Sequence, residues 1–209
     1  MKTKSLVLAA VGSAALGGAM IGFNSNPNAA DKAVYETSRA DAYAVDGMHS
    51  SVVFKLGYMG VTNFYGVFEQ VTGEYAIDLE NPSGSTLDVV VKAESVDSND
   101  EGRDKHLRGA DFFSVKEFPD IRFVGKSFES AGENKVKVTG DLTFHGVTRE
   151  ETTVLEWIGD RADPRGGHRS GWEAVLEINR SDYGVNYGVE NGALGDTTTI
   201  TVAITGMRQ

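Results

Sequence analysis

Eight short segments of this chain alternate apolar and polar side chains with a period of two residues, and this pattern constrains the fold most. Because successive side chains of a β-strand point to opposite faces, the alternation predicts strands with one buried face. The segments fall at residues 51–58, 64–79, 86–95, 121–128, 135–145, 149–157, 171–179 and 197–205. Turn residues such as Asn81-Pro82 and His145-Gly146 separate them. The sequence therefore predicts an all-β fold of eight antiparallel strands, either a sandwich or an up-and-down barrel.

Residues 95–119, here called the lid segment, interrupt this alternation of apolar and polar side chains. They are dense in charge and contain the aromatic residues Phe112, Phe113 and Phe118. A long connection of this kind in a sheet protein is typically a working lid or a disordered insert, and the aromatic residues favour a lid because they have apolar surface to bury. One short helix is expected around Glu101–Leu107, with Asp100 as its N-cap.

The first 30 residues have the layout of a secretory signal. Lys2 and Lys4 precede an apolar stretch without charge at residues 6–23, and small residues at 17–19 and 29–30 offer two cleavage positions. The alternative is a retained membrane anchor, for which this stretch is short and diluted by glycine. Residues 31–42 are polar and aperiodic and are expected to form a linker. The expected location is periplasmic or secreted.

The acidic composition excludes several classes of partner. The formal net charge is −10, whereas nucleic acids and anionic lipid surfaces are bound mainly by clusters of Lys and Arg. There is no cysteine, so an oxidising compartment adds no disulfide and the fold depends on its core. Nucleic acid is therefore not an expected partner.

No motif for metal binding or nucleophilic catalysis stands out. The four histidines, His49, His106, His145 and His168, share none of the close spacings typical of a preformed metal site. The chain lacks a Gly-x-Ser-x-Gly elbow and a phosphate-binding glycine loop. The glycine-rich run at 164–171 predicts a flexible hairpin. We expect no catalytic residue, no metal and no permanent cofactor.

Several spaced motifs resemble the YceI-like family. The matching positions are Asp46, His49, Ser50, Val52, Phe54, Met59-Gly60, Gly66, Phe68, Arg103-Asp104, His106-Leu107, Phe112-Phe113, Phe118-Pro119, Phe123, Gly140, Leu142-Thr143, Gly146-Val147-Thr148 and residues 179–184. One departure is Tyr58, which stands where the family pattern has histidine. The resemblance covers residues 43–209.

The resemblance implies the fold and ligand class of exported, lipocalin-like proteins that bind polyisoprenoid lipids. It implies an eight-stranded antiparallel up-and-down barrel around an apolar tunnel, with the lid segment at its mouth. The implied ligand is a long-chain isoprenoid lipid of quinone or polyprenyl type, bound without catalysis. Transient membrane contact and a homodimer are further expectations. Twelve residues are expected to line or close the tunnel: Phe54, Leu56, Tyr58, Phe64, Phe68, Val89, Phe112, Phe113, Phe123, Leu142, Phe144 and Trp172.

Three questions remain open at this point. Gly66, Gly125 and Gly140 face inward and would leave room in the tunnel, or they mark bulges and close packing. The charged residues of the lid segment could bond loop backbone, contact a polar head group, or act as an enzyme through His106 with Asp104. The barrel could also be filled by its own side chains and serve as an interaction module.

Overall fold

The computed structural model describes residues 40–209, and the predicted signal and most of the predicted linker lie outside them. The strands are β1 (Tyr43–Val45), β2 (Ser51–Tyr58), β3 (Thr62–Phe68), β4 (Val71–Ala76), β5 (Thr86–Lys92), β6 (Val96–Asp97), β7 (Asp120–Ser130), β8 (Lys135–Phe144), β9 (Val147–Ala162), β10 (His168–Asn179) and β11 (Leu194–Arg208). A single α-helix, α1 (Glu101–Leu107), lies in the part of the chain that the structure describes. Within residues 40–209, no helix is long and apolar enough to cross a membrane.

The strands close into a ring of eight members. Two of these members are each built from two consecutive strands. β1 and β2 follow one another along the first member, and β3 and β4 follow one another along the second. The remaining members are β5, β7, β8, β9, β10 and β11, each antiparallel to the next. β11 pairs with β2 and, at its end, with β1, and this closes the ring. The predicted eight-stranded up-and-down barrel is confirmed.

The break in the second member lies at Glu69 and Gln70, between β3 and β4. There the backbone turns toward Ser95, whose carbonyl accepts from Glu69 N and whose Oγ accepts from Gln70 N, both at 3.1 Å. The interruption does not lie at Gly73, since β4 pairs with β5 there without a register shift. Gly73 instead permits a close approach: a Cβ at this position would lie 2.1 Å from the carbonyl oxygen of Asp88.

One half of the barrel, here called the filled half, is packed solid around β1 and β4. Tyr75 is 2% exposed and stacks on Tyr43 with a centroid distance of 5.3 Å. Its hydroxyl donates to the Ser170 carbonyl at 2.7 Å, and burial raises the pKa of Tyr75 to about 12. Val136 and Val138 are fully buried nearby in β8. This half supplies close-packed contacts that hold the ring together.

A charged cluster fastens the outside of the filled half. The Asp46 carboxylate accepts hydrogen bonds from Arg169 and from Met48 N, and it contacts His49 Nδ1 at 2.8 Å. Arg169 also donates to Asp163 in the β9–β10 turn. The hydrogen bonds from Arg169 and His49 lower the pKa of Asp46 to about 2. The cluster therefore ties the turn before β2 to the start of β10.

The lid segment folds as a short helix followed by a tight loop. Asp100 caps α1 by accepting from Arg103 N at 2.8 Å, so the predicted helix and cap are confirmed. Ser114 takes a left-handed conformation with φ of 44°, and Phe113 N donates to the Leu107 carbonyl at 2.9 Å. The loop thereby returns over the end of the barrel opposite the filled half.

Candidate functional site

The barrel encloses a cavity of about 520 Å³ beneath the lid segment. This volume lies within the range of roughly 300–1,000 Å³ that is common for small-molecule sites. The half of the barrel around it is called the hollow half. All twelve residues predicted to contact a ligand lie on the cavity wall: Phe54, Leu56, Tyr58, Phe64, Phe68, Val89, Phe112, Phe113, Phe123, Leu142, Phe144 and Trp172. The role of these residues in binding stays a prediction. The alternative of a barrel filled by its own side chains does not fit this geometry.

Phenylalanine rings form the wall beneath the lid segment. The ring of Phe54 lies 6.0 Å from Phe64, 5.6 Å from Phe68 and 6.2 Å from Phe113, measured between centroids. Phe113 also contacts Phe68 at 5.3 Å and Phe144 at 5.9 Å. These tilted and edge-to-face pairs are the favoured geometry of aromatic rings. Phe113 therefore belongs to the cavity wall as well as to the lid segment.

Phe112 lies at the rim of the cavity. It is buried, and its ring contacts His106 at a centroid distance of 5.0 Å and Tyr187 at 5.1 Å. Tyr187 belongs to the loop between β10 and β11, so the two loops meet across the cavity end. We call this end, where α1 and Tyr187 approach each other, the mouth.

The inward glycines Gly66, Gly125 and Gly140 do not leave open space in the cavity. Of the two interpretations of these glycines, the one in which they leave room is therefore wrong. A Cβ at Gly66 would lie 2.3 Å from Cζ of Phe54, and one at Gly125 would lie 2.4 Å from Cζ of Phe128. A Cβ at Gly140 would lie 2.7 Å from Cζ of Phe123 and closer still to backbone. The alternative holds: all three glycines are closely packed, and Gly125 also lies at a bulge, because the β7–β8 register shifts between Gly125 and Ser127. The glycines let aromatic rings lie flat against the sheet.

Several charged residues of the lid segment hold its backbone. Asp104 accepts from Ser98 N at 2.8 Å and from the Ser98 hydroxyl. Arg108 donates to the carbonyls of Glu94 and Val96 at 2.7 and 2.6 Å. The pairing of His106 with Asp104 is wrong, since His106 Nε2 lies 2.9 Å from Asp111 Oδ2. The geometry therefore supports a structural role for Asp104 and Arg108.

Arg180 fastens the loop on the other side of the mouth. Its guanidinium donates to the carbonyls of Gly195, Val185 and Tyr187 at 2.9, 3.0 and 2.8 Å. The neighbouring Asp182 accepts from Arg149 at 3.2 Å. Burial lowers the pKa of Arg180, and nearby Asp196 partly offsets this effect. The side chain remains a buried cation on the cavity wall.

Sequence reasoning missed part of the wall. The missed apolar residues on β10 and β11 include Ala174, Leu176, Ile178, Ile200, Val202 and Ile204. Their alternation with polar residues was a usable signal, because both strands were predicted. Val185 and Tyr187 carried no such signal, since they lie in a loop whose course depends on tertiary contacts.

The described part of the chain offers no preformed metal site. Among residues 40–209, no three His, Cys, Asp or Glu side chains cluster closely enough to hold a metal ion. The four histidines make separate contacts: His49 with Asp46, His106 with Asp111, His145 with the Tyr183 carbonyl, and His168 with Asp160.

A closed up-and-down barrel with an internal apolar cavity and a covering loop defines a lipocalin-like architecture. The sequence pattern of the YceI-like domain matches residues 43–206. The chain therefore belongs to the YceI-like family. A UPF0312 protein of Pseudomonas putida is 36% identical over 172 residues, which are 81% of this chain and 88% of that protein.

Solved structures share the fold. Burkholderia cenocepacia BcnA aligns with a TM-score of 0.71 at 23% identity, covering 77% of this chain and 98% of that one. A polyisoprenoid binding domain from Saccharophagus degradans aligns with a TM-score of 0.63 at 17% identity, covering 81% of this chain and 99% of that one. At these identities both comparisons concern the fold alone.

Proposed function

We propose that this protein binds a long-chain isoprenoid lipid, of quinone or polyprenyl type, in the cavity and carries or sequesters it without catalysing a reaction. The observation that carries the proposal is an apolar cavity of about 520 Å³ inside a closed barrel, with phenylalanine rings on its wall. Membership of the YceI-like family supports it, as does the fold shared with a polyisoprenoid binding domain.

The size of the hydrophobic effect favours a long apolar chain. Burial of a methylene-sized group contributes roughly 0.8 kcal/mol, so each five-carbon isoprenoid unit contributes about 4 kcal/mol before costs. Three or four units then offset an association cost of about 4–15 kcal/mol. Affinity is therefore expected to rise with chain length until the hollow half is full.

The proposed place of action is the periplasm, with transient membrane contact during loading. The basic residues Lys2 and Lys4 and the apolar stretch that follows them support export. The β2–β3 turn presents Met59 and Val61, which are 59% and 79% exposed, next to the cavity residue Tyr58. Exposed apolar side chains beside the mouth would shield a lipid as it leaves a bilayer.

Lipid extraction from the native protein tests the proposal. The protein would be purified from its own host without detergent, and its organic extract analysed by mass spectrometry. We expect an isoprenoid lipid in a fixed ratio to protein, and unrelated exported barrel proteins should not yield it. An extract that contains no stoichiometric lipid, together with failure of added isoprenoids to bind, would contradict the proposal.

A further inference from the structure

The charged residues on the cavity wall are not evenly distributed. Arg103, His106 and Arg180 line the mouth, whereas the acidic wall residue Glu173 lies in the middle of β10. Arg103 and His106 lie one helical turn apart on α1 and therefore share a face. Arg180 donates to the Tyr187 carbonyl at 2.8 Å, and the Tyr187 ring lies 5.0 Å from His106. The mouth is thus a local concentration of donors and positive charge.

Arg103 is held in position by neutral groups. Nε donates to the Ser98 hydroxyl at 2.9 Å and Nη2 donates to the Ser98 carbonyl, while the guanidinium lies 4.5 Å above the ring of Phe64. By contrast, Arg122 and Arg169 bond to carboxylates. Because Ser98 occupies Nε and one N–H of Nη2, the other guanidinium donors, including Nη1, remain available to a ligand.

His106 is also oriented by its neighbours. The Phe112 and Tyr187 rings, which also contact each other, both contact it edge-to-face, at interplanar angles of 86° and 83°. Nε2 lies 2.9 Å from Asp111 Oδ2, which leaves Nδ1 as the ring nitrogen without this partner. When Asp111 accepts from Nε2, Nδ1 donates to a ligand oxygen only if the ring carries a proton on both nitrogens, as an imidazolium.

We propose that Arg103 and His106 form a head-group site at the mouth, for an isoprenoid whose head group carries hydrogen-bond-accepting oxygen. The oxygen belongs to a quinone carbonyl or to a phosphate, and the chain extends inward past Phe113 and Phe54. This inference rests on the proposed function, because it requires an isoprenoid chain in the cavity. Arginine suits both acceptors, since its planar donors bind carbonyl and phosphate oxygen.

Variants on one helix test the site. Arg103→Gln and His106→Gln each remove a proposed contact, and Lys105→Gln is the matched control because Lys105 is exposed on α1 and lies off the cavity wall. Binding would be measured by displacement of a fluorescent apolar probe. The three ligands are a quinone with a six-unit isoprenoid chain, hexaprenyl phosphate, and squalene, a hydrocarbon of six isoprenoid units without a head group.

We expect Arg103→Gln to weaken binding of at least one head-bearing ligand about tenfold, and His106→Gln to weaken it by a smaller factor. Squalene should bind all variants equally, and Lys105→Gln should change nothing. The ligand with the larger loss identifies the acceptor as quinone carbonyl or phosphate. Equal losses for squalene, or no loss for either head-bearing ligand, would overturn the head-group site while leaving the proposed function intact. If none of the three binds the unmutated protein, the proposed function fails as well.

Discussion

The two halves of this barrel use the same strands for different purposes. In the filled half, Tyr43, Tyr75, Val136 and Val138 are buried, Tyr43 stacks on Tyr75, and none of the four lies on the cavity wall. In the hollow half, the phenylalanine rings stand around about 520 Å³ of space. Since an apolar void forfeits contacts, the packed half must supply stability that the other half gives up. Inward residues of one strand can therefore stabilise the fold at one end of the barrel and line the cavity at the other.

Truncation of Tyr75 is expected to have the largest effect on stability. Tyr75→Ala removes a buried ring, its stacking on Tyr43 and its hydrogen bond to Ser170, and should lower the free energy of unfolding by about 3–5 kcal/mol. Phe68→Ala in the hollow half should lower it less, because one side of that ring faces the cavity. Urea denaturation measures both. Equal losses would break the distinction between the halves.

Substitution of one glycine in each half tests the difference in packing between the halves. Gly206→Ala would place a Cβ 2.6 Å from both Tyr43 Cβ and Tyr75 Oη in the filled half, and should destabilise the protein by about 1–3 kcal/mol. Gly66→Ala would place a Cβ nearest to the Phe54 ring, which borders the cavity and therefore has space to move. We expect a smaller loss of stability there, accompanied by weaker lipid binding. Thermal unfolding measures the loss of stability in the two variants, and lipid titration measures the loss of binding. Equal losses of stability, or unchanged binding in Gly66→Ala, would contradict this expectation.

Removal of the rings of the lid segment should affect exchange more than stability. The Phe112→Ala, Phe113→Ala double variant opens the mouth and should speed lipid exchange on the order of tenfold, with the β-sheet circular dichroism unchanged. Tyr65→Ala is the control, because Tyr65 is an exposed aromatic outside the cavity. Unchanged exchange in the double variant would refute the role of the lid segment.

The smallest effect concerns pH and the filled half. Because the folded pKa of Asp46 is about 2, below its ordinary value of 3.8, its contribution to stability is present above pH 4 and is lost as the pH falls toward 2. Asp46→Asn should therefore flatten the pH dependence of unfolding between about pH 4 and 2. A slope identical to that of the unmutated protein would show that the cluster with Arg169 contributes nothing.

Local features of the sequence predicted the strands and the helix well. Period-two alternation located the eight ring members, and Asp100 marked the start of α1 because a side-chain cap acts within a few residues. Alternation alone left a sandwich and a barrel open, since closure depends on the pairing of β11 with β1 and β2, which are far from it in sequence. The family resemblance resolved that choice.

Details set by distant contacts were not predictable in the same way. The break at Glu69 and Gln70 depends on Ser95, and the role of Gly66 depends on its pairing with Phe54. The candidate site was found where its residues lie on alternating strands. Tyr187 and the partners of Arg180 were missed, because a loop is positioned by tertiary hydrogen bonds that no local pattern reveals.

A crystal structure of the protein loaded with an isoprenoid would test the division into a filled and a hollow half most directly. We predict continuous density for the chain among Phe54, Phe68 and Phe113, with the filled half around Tyr75 unchanged. A chain bound on the outer surface, or a cavity that stays empty at saturating ligand, would contradict this account.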